Sequence, residues 1–100
     1  MKLKWTRRAL RQLLEAQEYI ARENPGAAEQ VVARIAKASR RLLDHPQIGR
    51  PGRHPGTREW VVMNTPYFIV YAHANNTVQI IRVLHSKQDW PPKRENIQQQ

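Results

Sequence analysis

The sequence predicts an α+β fold of order β-α-α-β-β-β, in which an N-terminal helical hairpin packs on a small antiparallel sheet. Apolar residues recur at helical spacing through two segments between residues 6 and 43. Three strand-like runs then crowd together from residue 57 to 86. The stretch between them, "DHPQIGRPGRHPG" (44 to 56), holds three prolines and three glycines, which excludes a helix or a central strand there.

The chain opens on "KLKW", a short strand, and Thr6 is placed to cap the helix that follows. From Thr6 to Glu23, residues Leu10, Leu13, Leu14, Ile20 and Ala21 define an amphipathic stripe. Gln17 lies within that stripe, as a hydrogen-bonded interface residue, and Tyr19 lies half-exposed opposite it. "ENPG" ends this helix and begins another: the residue before Pro25 is pushed out of helical geometry, Asn24 can cap, and Pro25 suits the first helical position. Ala28, Val31, Ile35, Ala38 and Leu42 carry the second stripe, while Arg34, Lys37, Arg40 and Arg41 give that helix a basic back.

The proline-glycine loop, carrying Arg50, Arg53 and His54, reads first as a solvated basic connection and second as part of a nucleic-acid-facing rim. Beyond it "TREWVVM" (57 to 63), "YFIVYAHA" (67 to 74) and "TVQIIRVLHS" (77 to 86) are strands. Asn75 and Asn76 form a two-residue hairpin turn, because Asn tolerates positive φ. Pairing Ala74 with Thr77 puts Phe68, Val70, Ile81 and Val83 on one face, expected beneath the helices. Tyr67, Ile69, Tyr71, Val78, Ile80, Arg82 and Leu84 then share the other face, too apolar for water and expected either to receive a partner or to be covered by the N-terminal strand, the proline loop or the C-terminal tail. The reading is one domain over residues 1–90 and a polar tail over 91–100.

Seventeen Lys and Arg against eight Asp and Glu give a net charge of +9 and a pI near 10.9. That balance favours an anionic partner. There is no cysteine, so disulfides and thiolate metal sites are excluded. His45, His54, His73 and His85 lack ligand spacing, and neither a metal nor a cofactor is expected. No long apolar run or signal-like segment occurs, so the expectation is a cytoplasmic protein with no membrane partner.

Three strings, "NPGAAEQVVARI", "HPQIGRPGRHPGTREWVV" and "YFIVYAHANNTVQIIRVLHSKQDW", together with the element order, resemble the RelE/ParE superfamily of bacterial toxins from type II toxin–antitoxin modules. The resemblance covers residues 3 to 90 and is most specific at "RVLHSKQDW". It implies a small basic growth inhibitor, a plasmid-stabilisation toxin neutralised by a cognate acidic antitoxin. The antitoxin would be received on the apolar face of Tyr67, Ile69, Tyr71, Ile80 and Leu84.

Two mechanisms follow from that resemblance. RelE-like members cut ribosome-bound mRNA without a metal, and the matching region here offers His85 as acid or base, with Arg58, Arg82 and Lys87 to hold phosphate charge and Trp90 to stack. Only on this reading is the chain an enzyme. ParE-like members poison DNA gyrase by binding it, and "VLHSKQDW" resembles their strand ending more closely. On that preferred reading Arg82, Lys87 and Trp90 contact the target, His85 closes a strand, and Asp89 pairs with a base such as Arg58. A stand-alone nucleic-acid-binding module ranks last, because no helix-turn-helix, zinc or RNP signature is present.

Overall fold

A computed structural model describes residues 1–91. The element order is β1 (Lys2–Trp5), α1 (Arg7–Ala21), α2 (Pro25–Asp44), β2 (Arg50–Pro51), β3 (Arg58–Val61), β4 (Tyr67–Ala74) and β5 (Thr77–His85). The expected tail lies, beyond Pro91, outside the described residues. The expected class and order hold, with two refinements. A two-residue edge strand, β2, forms inside the proline-glycine loop. The sheet, ordered β1-β5-β4-β3-β2, is mixed, because β1 pairs with β5 in parallel while every other pair is antiparallel.

Local chemistry sets the boundaries. Thr6 Oγ1 accepts from Ala9 N at 3.0 Å and donates to Ile81 O at 3.0 Å, so one hydroxyl both caps α1 and ties it to β5. Asn24 Oδ1 accepts from Ala27 N at 3.0 Å, and Pro25 follows at the first turn of α2. Asn75 and Asn76 turn the β4–β5 hairpin at φ 53 and 59.

The helices lie on one face of the sheet, but α1 is rotated from its expected stripe. Ala9 and Ala16 are buried and Leu13 and Ile20 pack beside them, whereas Leu10 and Leu14 remain 47% and 57% exposed. Alanine at the contact lets the helix backbone approach the strands, and the larger leucines are turned aside. Gln12, and not Gln17, supplies the polar link, its Oε1 accepting from Val83 N at 2.9 Å.

The expected assignment of sheet faces is reversed for β4 and the start of β5, while Val83, Arg82 and Leu84 lie on the faces expected of them. Tyr67, Ile69, Tyr71, Val78 and Ile80 pack with Ile35 and Leu42 of α2 in the principal core. Phe68, Val70 and Leu84 form a small cluster on the opposite face. The register limits the reversal: Val70 pairs with Arg82 but Tyr71 pairs with Ile80, so Ile81 is an extra residue. This bulge changes the phase of β5, which puts Val83 on the helix side with Ile80 and sends Leu84 to the other. Tyr67, Ile69, Tyr71 and Ile80, expected on an uncovered partner-binding face, are at most 7% exposed and constitute the core under the hairpin. Each large apolar side chain buried there contributes about 1.5–3 kcal/mol.

Candidate functional site

The face of the sheet away from the helices carries an unusual mixture of groups. Glu59, on β3 beside Val70 of β4, is 3% exposed. Its carboxylate accepts from Arg53 through the backbone N at 3.0 Å and the side-chain Nη2 at 2.9 Å, and from Arg50 Nη2 at 3.0 Å. Burial pushes this carboxyl up, but the hydrogen bonds from Arg53 and Arg50 outweigh it and hold the pKa at about 2. The loop after α2 is therefore fastened to the sheet, while Pro51, Arg53, His54, Pro55 and Gly56 stay exposed as expected from its composition.

Two further contacts fix that loop. Tyr71 Oη donates to Pro46 O at 2.9 Å and accepts from Gly49 N at 3.0 Å. A Cβ at residue 49 would stand 2.8 Å from Glu59 O and from the Tyr71 ring, so the close approach requires glycine. Folded this way, the loop brings the Arg53 guanidinium 5.4 Å from the centre of the Phe68 ring and His54 6.2 Å from Trp90.

Trp90 closes the other side of this face by packing against Phe68, Val70 and Leu84. The Arg82 guanidinium lies 5.4 Å from its ring centre and donates to Ile81 O at 2.9 Å. The buried indole Nε1 meets no acceptor among the described residues, which makes this the weaker of the two apolar clusters. Arg53, His54, Phe68, Arg82 and Trp90 thus form one cationic and aromatic surface.

His85 and Lys87 lie elsewhere. A cleft of about 460 Å³ separates α1 from the end of β5, lined by Gln12, Glu15, Tyr19, Tyr67, His85 and Lys87 among others. His85 stacks edge-on against Tyr67, with ring centres 5.3 Å apart. Its backbone N donates to Gln88 Oε1 at 2.7 Å, and its Nδ1 accepts from Lys87 N at 3.1 Å. The imidazole Nδ1 is thus used in closing the strand end. Tyr67, packed below it, has its hydroxyl pushed up by burial and then by Tyr19.

Arg58 occupies a third place, donating through Nη1 to Gly49 O at 2.8 Å and Gln47 O at 3.4 Å. The expected Asp89–Arg58 pair does not form; among the described residues both ion pairs go to Glu59. Of the sequence-derived set, the structure joins Arg82 with Trp90, joins His85 with Lys87, and leaves Arg58 with the loop carbonyls. Residues 82 and 85 are separated by an odd number along an extended strand, so their side chains leave opposite faces. Glu59 and Phe68 were not singled out as a site, although a lone Glu opposite a loop rich in Arg was a readable signal.

Comparison with known proteins identifies the class. Residues 3–90 match the family of the ParE toxin of the type II toxin–antitoxin system parDE. The chain belongs to this family and is a toxin of the ParE/RelE type. Toxin Y4kP of Sinorhizobium fredii (strain NBRC 101917 / NGR234) is 46% identical over 90 residues, covering 90% of this chain and 93% of that protein. Toxin RelE2 of Caulobacter vibrioides (strain ATCC 19089 / CIP 103742 / CB 15) is 34% identical over 82 residues, covering 82% and 91%. A chain of the chromosomal ParDE system from P. aeruginosa superposes with a TM-score of 0.76 at 27% identity, covering 85% of this chain and 95% of that one. The isolated E. coli RelE toxin shares the fold, with a TM-score of 0.55 at 17% identity over 98% and 96% of the two chains.

Proposed function

We propose that this toxin inhibits growth by binding DNA gyrase, without chemistry of its own, and that a cognate acidic antitoxin neutralises it. The observation that carries the reading is the dispersal of the residues a ribonuclease would need. An acid–base His must reach the same phosphodiester that the Arg groups hold. Here His85 is engaged at the strand end, on the side of Tyr67, while Arg82 stands over Trp90. The likeness to a ParDE toxin supports the same branch.

Arg82, Trp90 and Lys87 remain the proposed target contacts. Arg82 and Trp90 present a guanidinium and an indole on the open face, and Lys87 is exposed in the turn between them and the strand end. Of the apolar positions first assigned to the antitoxin, Leu84 alone lies on that face. Leu14, exposed on α1, offers the antitoxin further apolar contact.

Ribosome-dependent mRNA cleavage is the second reading, favoured by the grouping of Arg53, His54, Arg82 and Trp90. Purified toxin added to gyrase and supercoiled DNA separates the two. The expected result is accumulation of cleaved DNA bound to gyrase, with ribosome-bound message intact. Rapid message cleavage with normal supercoiling overturns the proposal. The Arg82, Lys87, Trp90 triple alanine variant, folded and bound by antitoxin, is expected to lose growth inhibition; full toxicity would exclude these contacts.

A further inference from the structure

The helical hairpin is polarised along its length. Its two helices run antiparallel from a short connection at residues 22–24, so the start of α1 and the end of α2 meet at the open end. Arg7, Arg8 and Arg11 of α1 and Lys37, Arg40 and Arg41 of α2 lie in that half, all exposed. Glu18, Glu23 and Glu29 gather toward the connection, Glu15 lies midway, and Asp44 is the hairpin carboxylate at the open end.

None of the six cations is neutralised inside the protein, since both ion pairs among the described residues involve Glu59. Two of them also oppose local helix electrostatics. Arg7 and Arg8 occupy the first turn of α1, which has no acidic residue, and a helix start carries positive partial charge. Helix stability would favour Asp or Glu there, so the arginines are not explained by folding. Lys37 and Arg41, four residues apart, are spaced about 6 Å along the α2 axis. Both remain exposed and are not used in the core.

We infer that the open end of the hairpin is a docking surface for a nucleic-acid phosphodiester backbone, separate from the open sheet face. Charge complementarity carries this choice. The patch holds six cations and no aromatic side chain, with Leu10 beside Arg11 as its exposed aliphatic contact, so charge dominates what it can offer a partner. Clustered, unpaired Arg and Lys are the groups that contact phosphates and fix orientation without reading sequence. The inference does not depend on which target the toxin has, because it concerns binding to nucleic acid alone.

The test measures binding of the full chain to a DNA duplex of about 20 base pairs across a salt series. The variant Lys37→Gln, Arg40→Gln, Arg41→Gln is compared with Lys2→Gln, Lys4→Gln, Arg22→Gln, which removes equal charge from exposed positions elsewhere. Glutamine preserves helix propensity, and circular dichroism with an unchanged thermal unfolding midpoint verifies both folds. The hairpin variant is expected to reduce the slope of log affinity against log salt by roughly 2.5, and the control by less than about one. Equal reductions would assign the binding to net charge and overturn the inference. An unchanged slope with weakened antitoxin binding would assign the patch to an acidic protein and overturn it as well.

Discussion

The two faces of one sheet differ in what holds them. On the helix side Ile69, Tyr71, Val78 and Ile80 are fully buried against two helices. On the other side Phe68, Val70 and Leu84 are covered by a loop and one indole. The first face is stabilised mainly by apolar burial. The second depends on a carboxylate, two guanidiniums and an aromatic ring, and contains a buried indole N–H without an acceptor among the described residues. On the proposed function, stability and target recognition are divided between the faces, so substitutions on them should have different consequences.

The largest effect is expected in the helix-side core. Ile69→Ala should cost about 2–5 kcal/mol, read from urea denaturation, because it opens a cavity that two packed helices cannot collapse. Leu84→Ala should cost visibly less, since its neighbours include the weakly held Trp90. Equal costs would mean that the open face is a second core of the same rank and would break the comparison.

Glu59 tests the other face. Its folded pKa of about 2 lies below the ordinary value of 4.5, so the carboxylate stabilises the fold fully above pH ~4.5. That contribution is lost as pH falls from about 4.5 towards 2. Arg50 and Arg53 side chains are 65% and 48% exposed, so water screens part of the interaction. Glu59→Gln should therefore cost about 1–3 kcal/mol at pH 7. It should also flatten the acid limb of stability against pH. An unchanged acid limb would remove Glu59 as the fastener of the loop.

These contrasts also mark where the sequence was readable. Caps, turns and periodicity located every long element, because Thr6, Asn24, Pro25 and Asn75–Asn76 act locally. The faces were not readable in the same way. Tyr67 to Tyr71 is an unbroken apolar run, so alternation gave no polarity, and the bulge at Ile81 changes the phase of β5. The edge strand carried the missing signal: Leu3 and Trp5 pack on the core and pair with Val78 and Ile80, while Lys2 and Lys4 alternate with them. The site suffered from the same error, because Arg82 and His85 can share one phosphate only if both leave the same face of β5.

A smaller effect is expected at the strand end. His85→Ala removes the acceptor for Lys87 N and the edge contact with Tyr67, and should cost about 1–2 kcal/mol. Growth inhibition should fall only in proportion to the folded fraction. A loss of toxicity by a hundredfold or more, with stability unchanged, would return His85 to a chemical role.

The smallest expected quantity is a coupling energy, and it addresses the division between the faces most directly. A double-mutant cycle of Arg82→Gln with Trp90→Leu should give a coupling of about 0.5–1 kcal/mol, the contribution of a partly exposed cation over an indole. The same cycle of Arg82→Gln with His85→Gln should give less than about 0.3–0.5 kcal/mol, as for residues without a shared partner. The hydrogen bond from Arg82 to Ile81 O is lost in every Arg82 variant, so it cancels from both cycles. Toxicity can be scored on the same four proteins. Coupling of Arg82 with His85 in toxicity but not in stability would mean that one bound substrate spans both faces, the outcome a nuclease requires and a dispersed site does not allow.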